Sequence, residues 1–393
     1  MAHATPTAGK TPHLNTDAHR KVGWLELFYD LVYVATIVQL GNKLSEDISI
    51  EGFSTFALLF IPAWWIWMGT TFYNNRFIVD DLPHRALVFG QIFIVSALAI
   101  YVYDGLGETS VGFALAYAAA RFLLVVMYYR AARFVPAARA LASRYAVGFT
   151  IAAVLWFISA FVPPPFRFIL WIIGLAIDFG TPLSPQSVKL QRALPPSPHH
   201  LPERLGLFTI IVLGESFIKV IGAFAGKELE VARVTIGFLG LALVGGIWWI
   251  HSETIAERGV SWARRGVQTY IYAHLPLHLG LIALAVGIYK LATQHSEVLP
   301  DKYRLLITVA VAICLVSLGV IELWTDRGAR LRDFGLRVVG AVIIIGIGLF
   351  GVGLNEFAVI GALLGIVFAL AIVNLLRGDI TAQSPEPAEI ELG

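Results

Sequence analysis

The sequence predicts an all-α fold, a polytopic transmembrane helix bundle of about 12 helices, and three observations predict it. The chain is 57% hydrophobic and only 14% charged, whereas soluble domains carry about 25% charged residues. Its mean hydropathy is +0.74. Its apolar residues also gather into runs of roughly 20, the length that crosses a hydrocarbon core.

In chain order the runs place helices near 24–43, 53–73, 85–103, 111–129, 145–162 and 166–179. Six more follow near 204–224, 231–251, 269–291, 303–323, 335–353 and 357–376. The sixth is short, and Pro163-Pro164-Pro165 ahead of it forces a tight break. Residues 1–21 have no apolar core of the signal-peptide kind and are expected to be a disordered cytoplasmic lead. Residues 378–393 are acidic and proline-bearing and read as a disordered tail. A lone cysteine, Cys314, lies in an apolar run and supports neither a disulfide framework nor a thiolate metal site.

Basic residues set the orientation. With the N-terminus inside, twenty of the 29 Lys and Arg residues fall on the cytoplasmic side and eight outside, with Arg121 within the fourth helix. Both termini are therefore expected in the cytoplasm, and the protein in a bacterial plasma (inner) membrane.

The map also suggests two halves, 22–180 and 203–377, joined by a proline-rich cytoplasmic linker over 181–202. Glu26 opens the first helix, and Trp64-Trp65-Ile66 follows in the second. Glu203 opens the seventh, and Trp248-Trp249-Ile250 follows in the eighth. An offset of six helices would relate the halves by an axis along the membrane normal. The longest irregular stretch, Asp178 to Pro202, is expected to be extended.

ELFYDLVYV at Glu26–Val34 and ERLGLFTIIVLGES at Glu203–Ser216 resemble motifs of the bacterial low temperature requirement A family of multi-pass membrane proteins. The resemblance covers most of the membrane region and implies an inner-membrane protein connected with growth in the cold. It brings no settled biochemical activity, so mechanism has to come from the residues.

Charged groups inside a bilayer are costly and mark function or pairing. At 1.5 Å per residue, Asp30 lies ~9 Å from the cytoplasmic edge, while Glu215 and Arg121 lie ~18 Å and ~15 Å deep, near the midplane. Lys219 follows Glu215 by one turn, on the same face. Asp30, Arg121, Glu215 and Lys219 are therefore the candidate substrate- or ion-binding residues. A carboxyl group withdrawn from water can exchange protons near neutral pH, which suits Glu215 to proton coupling. Arg121 stays charged and suits a counter-ion or anion clamp. Each has a structural alternative: an ion pair of Glu215 with Lys219 or Arg121, and a salt bridge or Tyr/Trp hydrogen bonds for Asp30. Glu26 and Glu203 read as helix-mouth acids favoured by the helix dipole.

His274 and His278 share a helix face with Pro276 between them. A proton relay, buried polar packing, and metal ligation with His251 and Glu253 are all open for them, although no catalytic Glu lies between the two histidines. The tryptophans at 64, 65, 67, 248 and 249 fit an interfacial belt or helix packing, and Gly222/Gly226 and Gly361/Gly365 fit close internal helix contacts. No nucleotide loop, nucleophile elbow or sizeable extramembrane domain is present in the sequence. The expectation is a proton-coupled secondary transporter rather than an enzyme, with no cofactor, no metal and no nucleic acid. Its partners would be the lipid bilayer and an unidentified small molecule or ion, with homo-oligomerisation open. An ion or proton channel and a non-transport membrane role are the alternatives.

Overall fold

The computed structural model describes residues 11–15, 20–79, 81–225, 230–256, 266–294, 298–323 and 331–382. Among them, twelve helices are long and apolar enough to cross a membrane. The first six are α1 Trp24–Glu46, α2 Ile50–Arg76, α3 Leu82–Tyr101, α4 Ser110–Phe134, α5 Arg139–Ser159 and α6 Phe166–Leu183. A short helix, α7 Pro185–Ala193, lies between them and the second set. That set is α8 His200–Phe224, α9 Val231–Ala256, α10 Gly266–Thr293, α11 Asp301–Glu322, α12 Leu331–Phe350 and α13 Glu356–Ala382.

Neighbour relations in one set recur in the other. The first helix α1 packs on α2 and α3, as α8 packs on α9 and α10. Likewise α4 packs on α2, α3 and α5, as α11 packs on α9, α10 and α12. The centre is occupied by α10 and α11, while α6, α12 and α13 leave most of their surface to lipid. Contacts of α1 with α8 and α10 join the two sets.

Three expectations need correction and a fourth is narrowed. The linker over 181–202 is not extended throughout, because Ser184 caps α7 by accepting from the Ser187 N–H at 3.4 Å and Pro185 takes the first helical position. The described part of the N-terminal lead is not a free tail. Strand β1 (His13–Leu14) pairs antiparallel with β2 (Phe77–Ile78), and the Arg20 guanidinium donates to the Asn74 carbonyl at 2.6 Å. Of the two roles open to the tryptophans, Trp64, Trp65 and Trp67 take helix packing and not an interfacial belt, since all three are buried in the core. The glycine pairs do not make close internal contacts either. A Cβ at Gly222, Gly361 or Gly365 would meet no atom within 4 Å, and Gly226 lies outside the described residues.

Candidate functional site

The two motif helices meet where α1 and α8 begin. On α1, Glu26 and Asp30 stand one turn apart, and on α8, His200 and Arg204 do the same, so each helix presents two polar groups to the other. Arg204 donates from Nη2 to Asp30 Oδ1 at 2.6 Å, and its Nη1 lies 3.7 Å from Glu26 Oε2. Both Asp30 and Arg204 are fully buried. Trp67 of α2 donates its indole N–H to the same Asp30 oxygen at 2.7 Å. The other oxygen, Oδ2, is buried without a hydrogen-bond partner. A buried carboxylate with one oxygen doubly bonded and the other empty-handed calls for an explanation.

Glu26 holds the mouth of the cluster. It accepts from the Gly23 N–H at 2.9 Å, closing the first turn of α1, and from Arg20 at 3.3 Å. Its Oε2 also lies 3.2 Å from His200 Nε2. Asn75 settles the histidine tautomer. The Asn75 carbonyl oxygen accepts from the Ser197 N–H at 2.9 Å, which turns its NH2 toward His200 Nδ1 at 3.4 Å. This places Nδ1 as an acceptor and Nε2–H as the donor to Glu26. Two carboxylates therefore face one fully buried guanidinium, with Arg20 at the solvent edge. Beside Glu26 a cleft of about 440 Å³ opens, lined by Arg20, Asn74, His84 and Arg85 among others.

The structure does not bring Asp30, Arg121, Glu215 and Lys219 into one site. Arg121 is clamped by Asp178, with Nη2 at 2.6 Å and Nε at 3.2 Å from Oδ1. The Tyr117 hydroxyl donates to Asp178 Oδ2 at 2.6 Å, and all three residues are buried. Asp178 was expected to open the linker, but α6 continues past it to Leu183 because Pro182 sits in the last turn, where few helix bonds depend on it. Arg121, Asp178 and Tyr117 thus form a closed buried triad.

Glu215 lies further along its helix than a start at Glu203 would place it. Pro202 is tolerated in the first turn of α8, whose N–H groups have no helical partner, so the helix begins at His200. Glu215 then lies ~22 Å and Lys219 ~28 Å along it, toward the end that carries Asn42 of α1. Lys219 donates to the Asn42 side-chain carbonyl at 2.7 Å and forms no ion pair with Glu215 or Arg121 among the described residues. Glu203 is exposed in the first turn of α8.

His251, His274 and His278 form a buried file, with ring centroids 5.9 Å apart at each step. His278 accepts from the Trp64 indole N–H at Nδ1 (2.9 Å), and its Nε2 lies 2.9 Å from Thr209 Oγ1. Thr209 in turn donates to the Leu205 carbonyl at 2.8 Å. The set closes only if His278 is neutral and donates from Nε2. A donor fixed on Nδ1 opposes a second proton there, so the expected relay through His278 would first have to break the Trp64 bond. His274 donates from Nδ1 to the Tyr270 carbonyl at 2.8 Å, and its Nε2 is buried without a partner.

The profile of the bacterial low temperature requirement A protein (LtrA) family matches residues 21–373, a span that contains α1, α8 and every residue of their junction except Arg20. The chain belongs to the LtrA family. It is 32% identical over 291 residues, 70% of each chain, to "Uncharacterized protein RA0937" of Rhizobium meliloti (strain 1021). No solved structure matches the chain. The stretches that carried the family resemblance, Glu26–Val34 and Glu203–Ser216, lie on the two helices that build the junction.

Sequence reasoning named Asp30 and Glu26, and foresaw a salt bridge and a Trp hydrogen bond for Asp30, but missed His200, Arg204 and Asp178 as the partners. Arg204 was hidden as an ordinary basic residue at a helix mouth. The available signal was the shared four-residue spacing of Glu26/Asp30 and His200/Arg204, opposite in charge on helices six apart.

Proposed function

We propose that this LtrA-family chain is a proton-coupled secondary transporter whose proton-binding centre is the Glu26–Asp30–Arg204 junction. The observation that carries the reading is Asp30 Oδ2, a buried carboxylate oxygen without a partner beside an Arg204 guanidinium that Asp30 shares with Glu26. A proton or small cation on Asp30 would give that oxygen its partner, and the cleft beside Glu26 offers a route from water. The junction also joins the first and second six-helix sets, where carriers with repeated halves place their sites. On this reading the Arg-rich face is cytoplasmic, the membrane is the bacterial inner membrane, both termini are inside, and no enzymatic step is assigned.

The test is proton flux in vesicles containing the purified full chain, under an imposed pH gradient and with an internal pH dye. Asp30→Asn and Glu26→Gln are expected to abolish flux that the wild type supports; full flux in both variants would remove the reading. Saturable, exchangeable uptake would favour a carrier, and ohmic current a channel. One observation favours a second reading. Asp30, Arg204 and Trp67 close on one another with no exposure, as a static lock between α1 and α8 would. In that case the same variants lower stability and the wild type itself carries no flux.

A further inference from the structure

We infer that the cleft between α5 and α6 holds an anionic phospholipid, its phosphate on Arg144 and an acyl chain against Val147 and Ile177. The inference does not depend on the transporter reading. The cleft measures about 590 Å³, and Arg144 with Ser143 and Ser184 stands at its polar end. Deeper in, the lining turns to Val147, Gly148, Ile177 and Gly180. This polarity profile, charged at one end and apolar along the helices, matches a headgroup followed by a hydrocarbon chain.

Arg144 is held in place but not neutralised. Its Nε donates to Ser187 Oγ at 2.9 Å and to Ser184 Oγ at 3.2 Å. Its Nη1 donates to Gln186 Oε1 at 2.5 Å and its Nη2 to Ser184 Oγ at 3.1 Å. Every one of these acceptors is uncharged, and no carboxylate pairs with Arg144 among the described residues. One N–H on each terminal nitrogen is left for a further acceptor, the paired geometry that suits a phosphate.

The surroundings share this sign. Residues 109–202 contain a single acid, Asp178, and it is buried on Arg121. On the same face Arg133, Arg139, Lys189 and Arg192 are exposed. Basic pockets between membrane helices, set among further basic residues, are the pattern that retains anionic headgroups. A second cleft of about 400 Å³, between α4 and α5, shares Val147 with the first. A lipid seated on Arg144 thus finds one groove on each side of Val147, as a two-chain lipid requires.

Gly180 provides a clean probe, because a Cβ built there meets no atom within 4 Å. The Gly180→Leu variant should fill the cleft without displacing the protein. The full chain is reconstituted in phosphatidylcholine vesicles doped with a phosphatidylglycerol that carries a photoreactive group in mid-chain. After illumination, labelled peptides are mapped by mass spectrometry, and thermal unfolding of each variant checks its integrity. Wild type should be labelled on the 147–151 and 177–181 segments, and more strongly than by the corresponding phosphatidylcholine probe. Arg144→Gln should lose about fivefold of that headgroup preference, the weight of one basic side chain at an anionic leaflet. Gly180→Leu should lose the 177–181 label while leaving label elsewhere. Labelling that ignores the headgroup, or that survives both substitutions, would overturn the inference. So would displacement of the label by inorganic phosphate, which would mark the site as one for a free anion.

Discussion

Arg204 Nη2 lies 2.6 Å from Asp30 Oδ1, an ion pair with no solvent exposure that joins residues 174 apart in sequence. With Glu26–His200 and Asn42–Lys219, it ties the first helix of one six-helix set to the first helix of the other. In low dielectric such a pair is strong only while both members are present, because removing one leaves a buried charge uncompensated.

Arg204→Gln is therefore expected to destabilise the protein by about 3–5 kcal/mol. Asp30→Asn should cost less, since the amide oxygen still accepts from Arg204 and Trp67. Unfolding of the two single variants and of the double variant should reveal a coupling energy of about 0.5–3 kcal/mol. Strict additivity would mean that the two side chains act independently.

Trp67→Phe keeps the ring that stacks on Phe208, whose centroid is 4.0 Å away, but removes the N–H donated to Asp30. Loss of a hydrogen bond to a charged group should cost about 1.5–3 kcal/mol. Thermal unfolding in the same detergent measures it. Trp65→Phe is the matched control, because the Trp65 indole N–H has no partner.

The Arg121–Asp178–Tyr117 clamp should behave as structure and nothing more. Arg121→Met alone is expected to cost about 3–5 kcal/mol, whereas Arg121→Met with Asp178→Leu should recover most of that loss. Flux of the double variant should match wild type. A folded double variant without flux would return Arg121 to the functional site.

Glu215→Gln should leave flux within about twofold of wild type. The reason is position, since Glu215 lies eleven residues, ~16 Å, along α8 from Arg204, and Lys219 is already engaged with Asn42. Loss of flux on this substitution would move the coupling site toward the far end of α8.

The helices were legible because each spanning segment must satisfy its backbone internally and offer an apolar surface, which writes a long hydrophobic run. What the sequence concealed turned on proline and on depth. Pro202 and Pro182 read as breakers, yet each sits in a terminal turn where a missing N–H or a tight bend costs little. Moving those two boundaries carried Arg204 and Asp178 from the predicted helix ends to positions a turn or more inside their helices. Asp30 stayed a candidate because its depth depended on neither boundary. The pairing of Glu26 and Asp30 with His200 and Arg204 links positions more than 170 residues apart, and no local pattern encodes which helix faces which.

The most direct test of the central claim is pH-difference infrared spectroscopy of the reconstituted full chain, read in the carboxyl stretching region. A protonated-carboxyl band should grow as pH falls and be missing from Asp30→Asn or Glu26→Gln, the residue responsible identifying the proton-binding group. A band unchanged in both variants, or no pH-dependent carboxyl band at all, would contradict it.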